Sequence, residues 1–176
     1  MKLFFSKGAC SLAPHIILRE LGLDFELVTV DTPEQKYGLK ATGEFQKINP
    51  GGKIPALVLD NGEIITECSA ILIYLADLNP DLNLFPKEGT FERYRGLEWL
   101  NQIATEWHKQ FVFLFWPTIS TEMQQSLLNT AKEKLTKLNN EMKGRDYIYG
   151  DSFSIIDAYM FVCLDWLNWV DPKDTL

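Results

Sequence analysis

The feature that most restricts the fold is a strand–helix–strand pattern at the start of the chain. Residues 2–6 (KLFFS) and 25–30 (FELVTV) are short runs of aromatic and β-branched side chains, which are typical of strands. The intervening SLAPHIILRELG has the apolar spacing of a helix that ends at Gly22. Ser11 is the predicted N-cap, which places Pro14 in the first turn, where a helix tolerates proline. A βαβ crossover makes its two strands parallel.

The next segment predicts a hairpin and a helix. In KINPGGKIPALVLDNGEIITE, the strands PALVL and EIIT flank a turn at Asp60, Asn61 and Gly62. Residues 67–77 then have helical spacing, which stops at Asn79-Pro80. The order β-α-β, β-β-α predicts a thioredoxin-like α/β module with a mixed sheet.

Everything after this module has the pattern of helices, which we expect at residues 90–116, 121–143 and 154–169. The last helix begins with Ser154 and Asp157, a variant of the capping box. The predicted architecture is therefore α/β plus all-α. Its parts are a thioredoxin-like domain at residues 1–79, a linker at 80–89 and an α-helical domain at 90–176.

Charge and hydrophobicity exclude several classes of partner. The net charge is −7, without a basic block to attract nucleic acid or anionic lipid. No apolar run approaches the roughly 18 residues that span a bilayer. The N-terminal segment also does not have the pattern of a secretion signal. We expect a cytoplasmic protein with neither nucleic acid nor membrane as a partner.

The three cysteines are too far apart for a zinc motif, and their odd number argues against a disulfide framework. No metal is expected, and Cys163 lies in an apolar run typical of a core. Cys10 comes directly before a helix, where the helix dipole lowers a thiol pKa below roughly 8.5. Ala13 stands where dithiol proteins of this fold have a second cysteine, so local disulfide cycling is excluded. A buried, inert Cys10 is the alternative.

Two further positions in this half could contact a ligand. Pro55 opens its strand, and a cis proline there leaves backbone groups free to pair with an extended peptide. Glu67 and Cys68 begin the next helix, whose amides attract an anion while a carboxylate attracts an ammonium group. The alternatives are an ordinary strand-edge proline and an ordinary helix N-cap. Together with Cys10, these positions suggest a site for a small zwitterionic peptide.

In the first long helix, one face carries a buried apolar stripe. We expect it to comprise Leu100, Ile103, Ala104, Trp107, Phe111 and Leu114. Asn101, Thr105 and His108 lie together beside this stripe. His108 and Lys109 either line a site as basic residues or are structural.

These motifs together resemble the bacterial beta-class glutathione transferases. The resemblance rests on KLFFSKGACSLAPHI, NPGGKIPAL, TECSAI, EWLNQIATEWHK and FSIIDAY, which cover most of the chain. It implies a dimeric enzyme that uses glutathione as co-substrate and joins it to small, largely apolar electrophiles. Thiol-disulfide exchange through Cys10, or a non-catalytic regulatory protein on the same fold, are the alternatives.

By this resemblance, the N-terminal module binds glutathione. Cys10 contacts the glutathione sulfur, and the backbone of Ile54 pairs with the cysteinyl unit beside a cis Pro55. Glu67 and Cys68 hold the γ-glutamyl end.

The resemblance also assigns residues of the helical half. His108 and Lys109 line the site, and Cys10 and His108 are the implied catalytic residues. Asn101 and Glu106 match positions that reach glutathione across the dimer.

The chain departs from the family pattern at two of these positions. Cys68 replaces the usual serine or glycine and offers only a weak side-chain donor. The lysine expected after the second strand falls in a longer loop, and Lys36 is the choice over Lys40 as a glutathione-binding residue.

The sequence ends at Leu176, whereas relatives continue with one or two helices. Either the chain is shortened or the sequence is a piece of a longer one. In both cases we expect Trp166, Trp169 and Val170 to be more exposed than in relatives.

Overall fold

A four-stranded mixed sheet organises the N-terminal half of the computed structural model, which describes residues 1–30, 43–116 and 118–169. Its strands are β1 (Lys2–Phe5), β2 (Glu26–Thr29), β3 (Ala56–Val58) and β4 (Ile64–Thr66). Their order is β2-β1-β3-β4. The β1–β2 pair is parallel, and the β1–β3 and β3–β4 pairs are antiparallel. This confirms the thioredoxin-like module and the hairpin.

The described part of this half contains the helices α1 (Leu12–Glu20), α2 (Phe45–Ile48) and α3 (Cys68–Asp77). The sequence predicts α1 and α3, but it does not predict α2. A four-residue helix is one turn long, so it has no room for a repeating apolar pattern. Phe45 anchors this turn by packing into a small cluster with Val30 and Ala56.

The start of α1 differs from the prediction. Ser11 has helical backbone angles, and its hydroxyl does not cap α1. The hydroxyl accepts a hydrogen bond from the Ser6 N–H and donates one to the Ser6 carbonyl, both at 3.2 Å. Ser11 therefore occupies the predicted N-cap position, but its side chain does not cap the helix. The side chain instead closes the loop from Ser6 to Ser11, which contains Cys10.

The C-terminal half is helical, as predicted. It contains α4 (Phe91–Gln102), a π-helical segment (Ile103–His108), α5 (Lys109–Leu114), α6 (Thr121–Glu141) and α7 (Ile155–Asp165). Short 3₁₀ turns lie at Pro80–Leu82 and Trp166–Trp169. Within the described ranges, none of these helices has both the length and the hydrophobicity to cross a bilayer. The boundaries of the two domains and the linker stay predictions.

The π-helical segment interrupts the predicted helix over residues 90–116. A π turn holds more residues than an α turn, so side chains beyond it are rotated from their α-helical positions. Leu100, Ile103, Trp107 and Phe111 are nevertheless buried, which confirms the apolar stripe. His108 ends the segment, and a π-bulge at such a position is frequent in functional sites.

One hydrophobic core runs through both halves. It joins Leu3 of β1 and Ile17 of α1 to Leu72 of α3 and Met160 of α7, all fully buried. Helix α1 packs against both α3 and α7. The helical half is therefore packed directly on the helix that follows Cys10.

The capping box at the start of α7 is confirmed. The Ser154 N–H donates to Asp157 Oδ2 at 2.9 Å, and the Ser154 hydroxyl accepts from the Ile156 N–H at 3.3 Å. The other carboxylate oxygen, Oδ1, accepts from the Ile148 N–H at 2.8 Å. Asp157 thus satisfies backbone donors on both sides of the loop that precedes α7.

We expect Asp157→Ala to lower the free energy of unfolding by about 2 kcal/mol, because a cap is lost and partly buried N–H groups lose their acceptor. Urea denaturation at fixed protein concentration measures this, with an unchanged slope indicating two-state unfolding. Asp151→Ala, at an exposed aspartate of the preceding loop, is the control and should change stability by less than about 0.5 kcal/mol. Equal effects of the two variants would contradict the assignment.

Candidate functional site

Cys10 lies at the point where three parts of the chain meet. It is 7% exposed, in the loop between β1 and α1. Its Sγ donates a hydrogen bond to the carbonyl oxygen of Ile54 at 3.5 Å. The Ile54–Pro55 peptide bond is cis, as the resemblance implies. Cys10, which is predicted to contact the glutathione sulfur, therefore lies next to Ile54, whose backbone is predicted to pair with the cysteinyl unit.

The start of α3 completes this corner of the site. The Cys68 thiol is buried and donates to the Cys10 carbonyl at 3.7 Å, so its weak donor is engaged within the protein. Glu67, the residue before α3, has φ 66° and ψ 124°. A non-glycine residue in this region is strained, and such strain occurs preferentially at ligand-binding positions. The two residues assigned to the γ-glutamyl end thus lie beside Cys10.

His108 of the helical half is held by two aromatic side chains that the sequence analysis did not assign to the site. Its Nδ1 lies 2.7 Å from the hydroxyl oxygen of Tyr159. The Trp166 ring packs edge-on against the imidazole, with centroids 5.0 Å apart. The Trp166 indole N–H donates to the Gly8 carbonyl at 2.8 Å. His108 is therefore connected, through Trp166, to the loop that carries Cys10.

Gly8 also packs closely against a second tryptophan, Trp169. Its φ is +75°, and a Cβ atom at this position would lie 2.4 Å from the Trp169 ring. Only glycine adopts this backbone conformation readily and leaves room for the ring. Gly8 is a signal that sequence reasoning could have used, since it directly precedes Ala9 and Cys10.

Two lysines give the site a local positive charge in an acidic protein. The Lys109 charge acts on both Cys10 and His108, lowering the pKa of each group. The Lys53 charge also lowers the pKa of His108. Lys53, which comes directly before Ile54, was not predicted as a site residue. Glu67 opposes these lysines by raising the Cys10 pKa.

The expected low pKa of Cys10 is wrong for the free protein. Burial raises the pKa of this thiol to about 12, and this effect outweighs the backbone N–H groups of Cys10 and Ser11, which favour the thiolate. The helix terminus acts in the predicted direction, but desolvation of the charged sulfur is the larger effect. At neutral pH Cys10 is a protonated thiol and a hydrogen-bond donor.

Of the two interpretations left open for His108, a positively charged side chain is wrong, for a related reason. Burial first, and the Lys109 and Lys53 charges next, lower its pKa to about 4. The imidazole is neutral at physiological pH, since its pKa lies well below 7. Lys109 is exposed and provides the positive charge at this end of the site.

Asn101 and Glu106 are the two residues predicted to reach glutathione across a dimer. Asn101 and Glu106 are exposed on the same long helix. Asn101 Nδ2 donates to the Leu97 carbonyl at 2.9 Å, and the Glu106 carboxylate pairs with Lys134 at 3.1 Å. Their contact with a partner subunit stays a prediction.

The lysines considered for glutathione binding, Lys36 and Lys40, lie outside the described residues. Trp166, one of the residues expected to be more exposed than in relatives, is only 6% exposed in this chain. It is buried because its ring fills the space between His108 and the Cys10 loop. Trp169 is 58% exposed, Val170 lies outside the described ranges, and the comparison with relatives stays a prediction.

The raised pKa of Cys10 predicts slow alkylation. In the free native protein at pH 7 to 8, we expect iodoacetamide to modify Cys10 far more slowly than an exposed thiol of pKa roughly 8.5, because the thiolate is scarce. Peptide mass spectrometry across a pH series measures the rate at each cysteine. Protein unfolded in urea is the control and should be modified at all three cysteines. A midpoint for Cys10 below about pH 8.5 would contradict the assignment.

Comparison with known proteins agrees with this geometry. Residues 8–78 match the family model of the glutathione S-transferase N-terminal domain, and residues 103–174 match that of the C-terminal domain. Glutathione S-transferase GstA of Escherichia coli O157:H7 is 45% identical over 166 residues, which are 94% of this chain and 82% of that protein.

Solved structures agree as well. A sphingomonad glutathione S-transferase complexed with glutathione superposes with a TM-score of 0.88 at 47% identity, covering 97% of this chain and 84% of that one. The beta-class glutathione S-transferase of Sphingomonas chungbukensis also has a TM-score of 0.88, at 45% identity and with the same coverage. The chain belongs to the glutathione S-transferase family.

Proposed function

We propose that this chain binds glutathione beside Cys10 and joins it through its sulfur to small, largely apolar electrophiles, with displacement of their leaving group where they carry one. The observation that carries the proposal is that the loop before α1, the start of β3 and the start of α3 meet at Cys10. Cys10 Sγ contacts the carbonyl of Ile54, and Cys68 Sγ contacts the carbonyl of Cys10. Similarity to a glutathione S-transferase whose structure contains glutathione supports the same ligand here.

The contacts suggest how a γ-glutamyl-cysteinyl-glycine peptide would lie. Its γ-glutamyl end, with both an ammonium and a carboxylate, would meet Glu67 and the backbone amides at the start of α3. Its cysteinyl unit would pair with the backbone of Ile54 beside the cis proline bond. Lys53 and Lys109 add positive charge that favours an anionic peptide. The predicted contribution of Lys36 belongs to this proposal as well.

Activation of the bound sulfur would come from hydrogen-bond donors. The backbone N–H groups of Cys10 and Ser11 already favour negative charge at the Cys10 sulfur. The Cys10 S–H can turn from the Ile54 carbonyl to a glutathione thiolate, since a ligand that pairs with Ile54 competes for that carbonyl. Stabilising the thiolate lowers its pKa and raises the fraction of reactive nucleophile at neutral pH.

Thiol-disulfide exchange through Cys10 is the second candidate. It requires the Cys10 thiolate as nucleophile, or a mixed disulfide at this sulfur that a second glutathione resolves. A thiol with a pKa of about 12 has little thiolate at neutral pH. A thiol that keeps its proton is instead suited to donate a hydrogen bond to the sulfur of glutathione. The electrostatics of the site thus favour conjugation over exchange.

Two parts of the proposal concern the assembly and the compartment. We infer a homodimer in which Asn101 and Glu106 reach the partner's glutathione, and both are exposed on the same long helix. Phe91 and Tyr94, near the start of that helix, are large and exposed, which is typical of an interaction surface. Three free cysteines fit a reducing compartment, and we propose the cytoplasm.

Substitution of Cys10 separates the candidate functions. We expect Cys10→Ala to abolish reduction of a glutathione mixed disulfide, while conjugation of a chloronitrobenzene survives in part through the backbone donors. Cys163→Ala is the matched control, because Cys163 is also buried but lies within α7. Both rates are followed by absorbance, with wild type in parallel.

Three results would change the proposal. Failure of the wild type to be retained on immobilised glutathione would exclude both enzymatic functions and favour a regulatory protein. Wild-type disulfide reduction in Cys10→Ala would remove any redox role of this residue. If Cys163→Ala lost both activities while Cys10→Ala kept them, the functional sulfur would not be that of Cys10.

If the chain is a homodimer, we expect the protein at micromolar concentration to sediment as a species of twice the chain mass. Sedimentation velocity measures it directly. Replacement of Tyr94, an exposed residue near the start of α4, by glutamate should weaken the dimer if this face is the interface. A wild-type protein that sediments only as a monomer would contradict the proposal.

A further inference from the structure

Tyr159 is a buried polar side chain that the proposed mechanism does not yet use. It is 2% exposed and lies in α7, on the helical side of the core. Burial raises the pKa of its phenol far above 10, so the hydroxyl keeps its proton at any physiological pH. A buried hydroxyl needs an acceptor for that proton.

His108 Nδ1 is the acceptor that the geometry offers. The distance of 2.7 Å between Nδ1 and the Tyr159 oxygen is that of a good hydrogen bond. Among the described residues, the Tyr159 hydroxyl has no other hydrogen-bond partner. A proton on Nδ1 would make the phenol oxygen the acceptor and would leave the buried phenol proton without a partner among these residues. Donation from the phenol to a bare Nδ1 is therefore the favoured arrangement.

The neutral imidazole carries one proton, and a bare Nδ1 places it on Nε2. The ring is also fixed in orientation, since Tyr159 and Trp166 both pack edge-on against it with centroids 5.8 Å and 5.0 Å away. Tyr159 and Trp166 are two helical turns apart, which places them on one face of α7 and its continuation. Residues on that face therefore fix the orientation of the His108 ring and determine which of its two nitrogens carries the proton.

We propose that Tyr159 is a positioning residue: its phenol donates to Nδ1 of His108 and fixes the tautomer in which Nε2 carries the proton. His108 then faces the site as a hydrogen-bond donor, able to stabilise a bound thiolate, and does not act as a general base through Nε2. This inference rests on the proposed glutathione site and assigns the chemical form in which His108 would serve it.

Imidazole ¹⁵N chemical shifts test the tautomer without any substrate. The chain has only two histidines, so His15→Gln assigns the spectrum. We expect wild-type His108 at neutral pH to show a bare Nδ1 and a protonated Nε2. In Tyr159→Phe, which keeps the ring but removes the hydroxyl, we expect a mixture of tautomers. A protonated Nδ1 in wild type, or an unchanged His108 spectrum in Tyr159→Phe, would overturn the proposal.

A kinetic cycle tests whether Tyr159 acts through His108. We expect Tyr159→Phe to lower kcat for conjugation about three- to ten-fold, the range that one lost hydrogen bond corresponds to, with the KM for glutathione nearly unchanged. In a His108→Ala background the same substitution should have no further effect. An equal loss in both backgrounds would overturn the proposal.

Tyr149→Phe is the matched control for these measurements. The Tyr149 hydroxyl also makes one hydrogen bond, to the Glu92 carbonyl at 2.8 Å, but it lies away from His108. We expect unchanged His108 shifts and an unchanged kcat, and a matching change in this variant would overturn the assignment to Tyr159. If the wild type neither binds nor conjugates glutathione, the proposed function fails, while the ¹⁵N spectrum still decides the tautomer.

Discussion

The site depends on the packing of α7 against α1. Helix α1 follows Cys10, and the residues of α7 hold His108, so this contact brings the two halves of the candidate site together. The Trp166 indole makes the connection specific by donating to Gly8 while its ring packs on His108. Gly8 also leaves room for the Trp169 ring, with which a side chain there would collide. A fold without this interface would separate the sulfur from the imidazole.

Burial at the interface also determines the charge of the reactive groups. The sequence suggested a lowered pKa for Cys10, just before α1, with an inert thiol as the alternative, and it left His108 either basic or structural. Desolvation is the largest influence on both pKa values, and it makes each group neutral. A site of neutral donors, with Lys53 and Lys109 nearby, is suited to receive an anion brought by the ligand. We therefore regard the negative sulfur as belonging to glutathione and Cys10 as one of its donors.

The sequence predicted the parts of the structure that follow from local pattern. The parallel β1–β2 pair, the hairpin and the capping box of Asp157 are encoded by short-range periodicity and turn residues. The grouping of Cys10, Pro55 and Cys68 in one site followed from the predicted thioredoxin-like module, and the resemblance to a family added the part of glutathione that each residue would contact. Helix α2 and the π-helical segment ending at His108 have no periodic signal long enough to detect.

The errors in the sequence analysis share a physical cause. The Ser11 hydroxyl bonds to Ser6, and Trp166 is buried against Gly8, because of contacts across a loop or between the two halves. The pKa values of Cys10 and His108 likewise depend on what covers them. Tyr159 lies in the motif FSIIDAY, which was interpreted as a folding signal, and its contact with His108 is visible only in three dimensions.

The central claim is that the thiolate of the active complex belongs to glutathione. Thiolate absorbance in the ultraviolet, titrated with and without glutathione, measures this directly. The account predicts no thiolate in the free protein near neutral pH. On binding glutathione it predicts one thiolate per chain, with an apparent pKa below the roughly 8.5 of an ordinary thiol. A thiolate already present in the free protein at neutral pH, or none formed on binding, would contradict it.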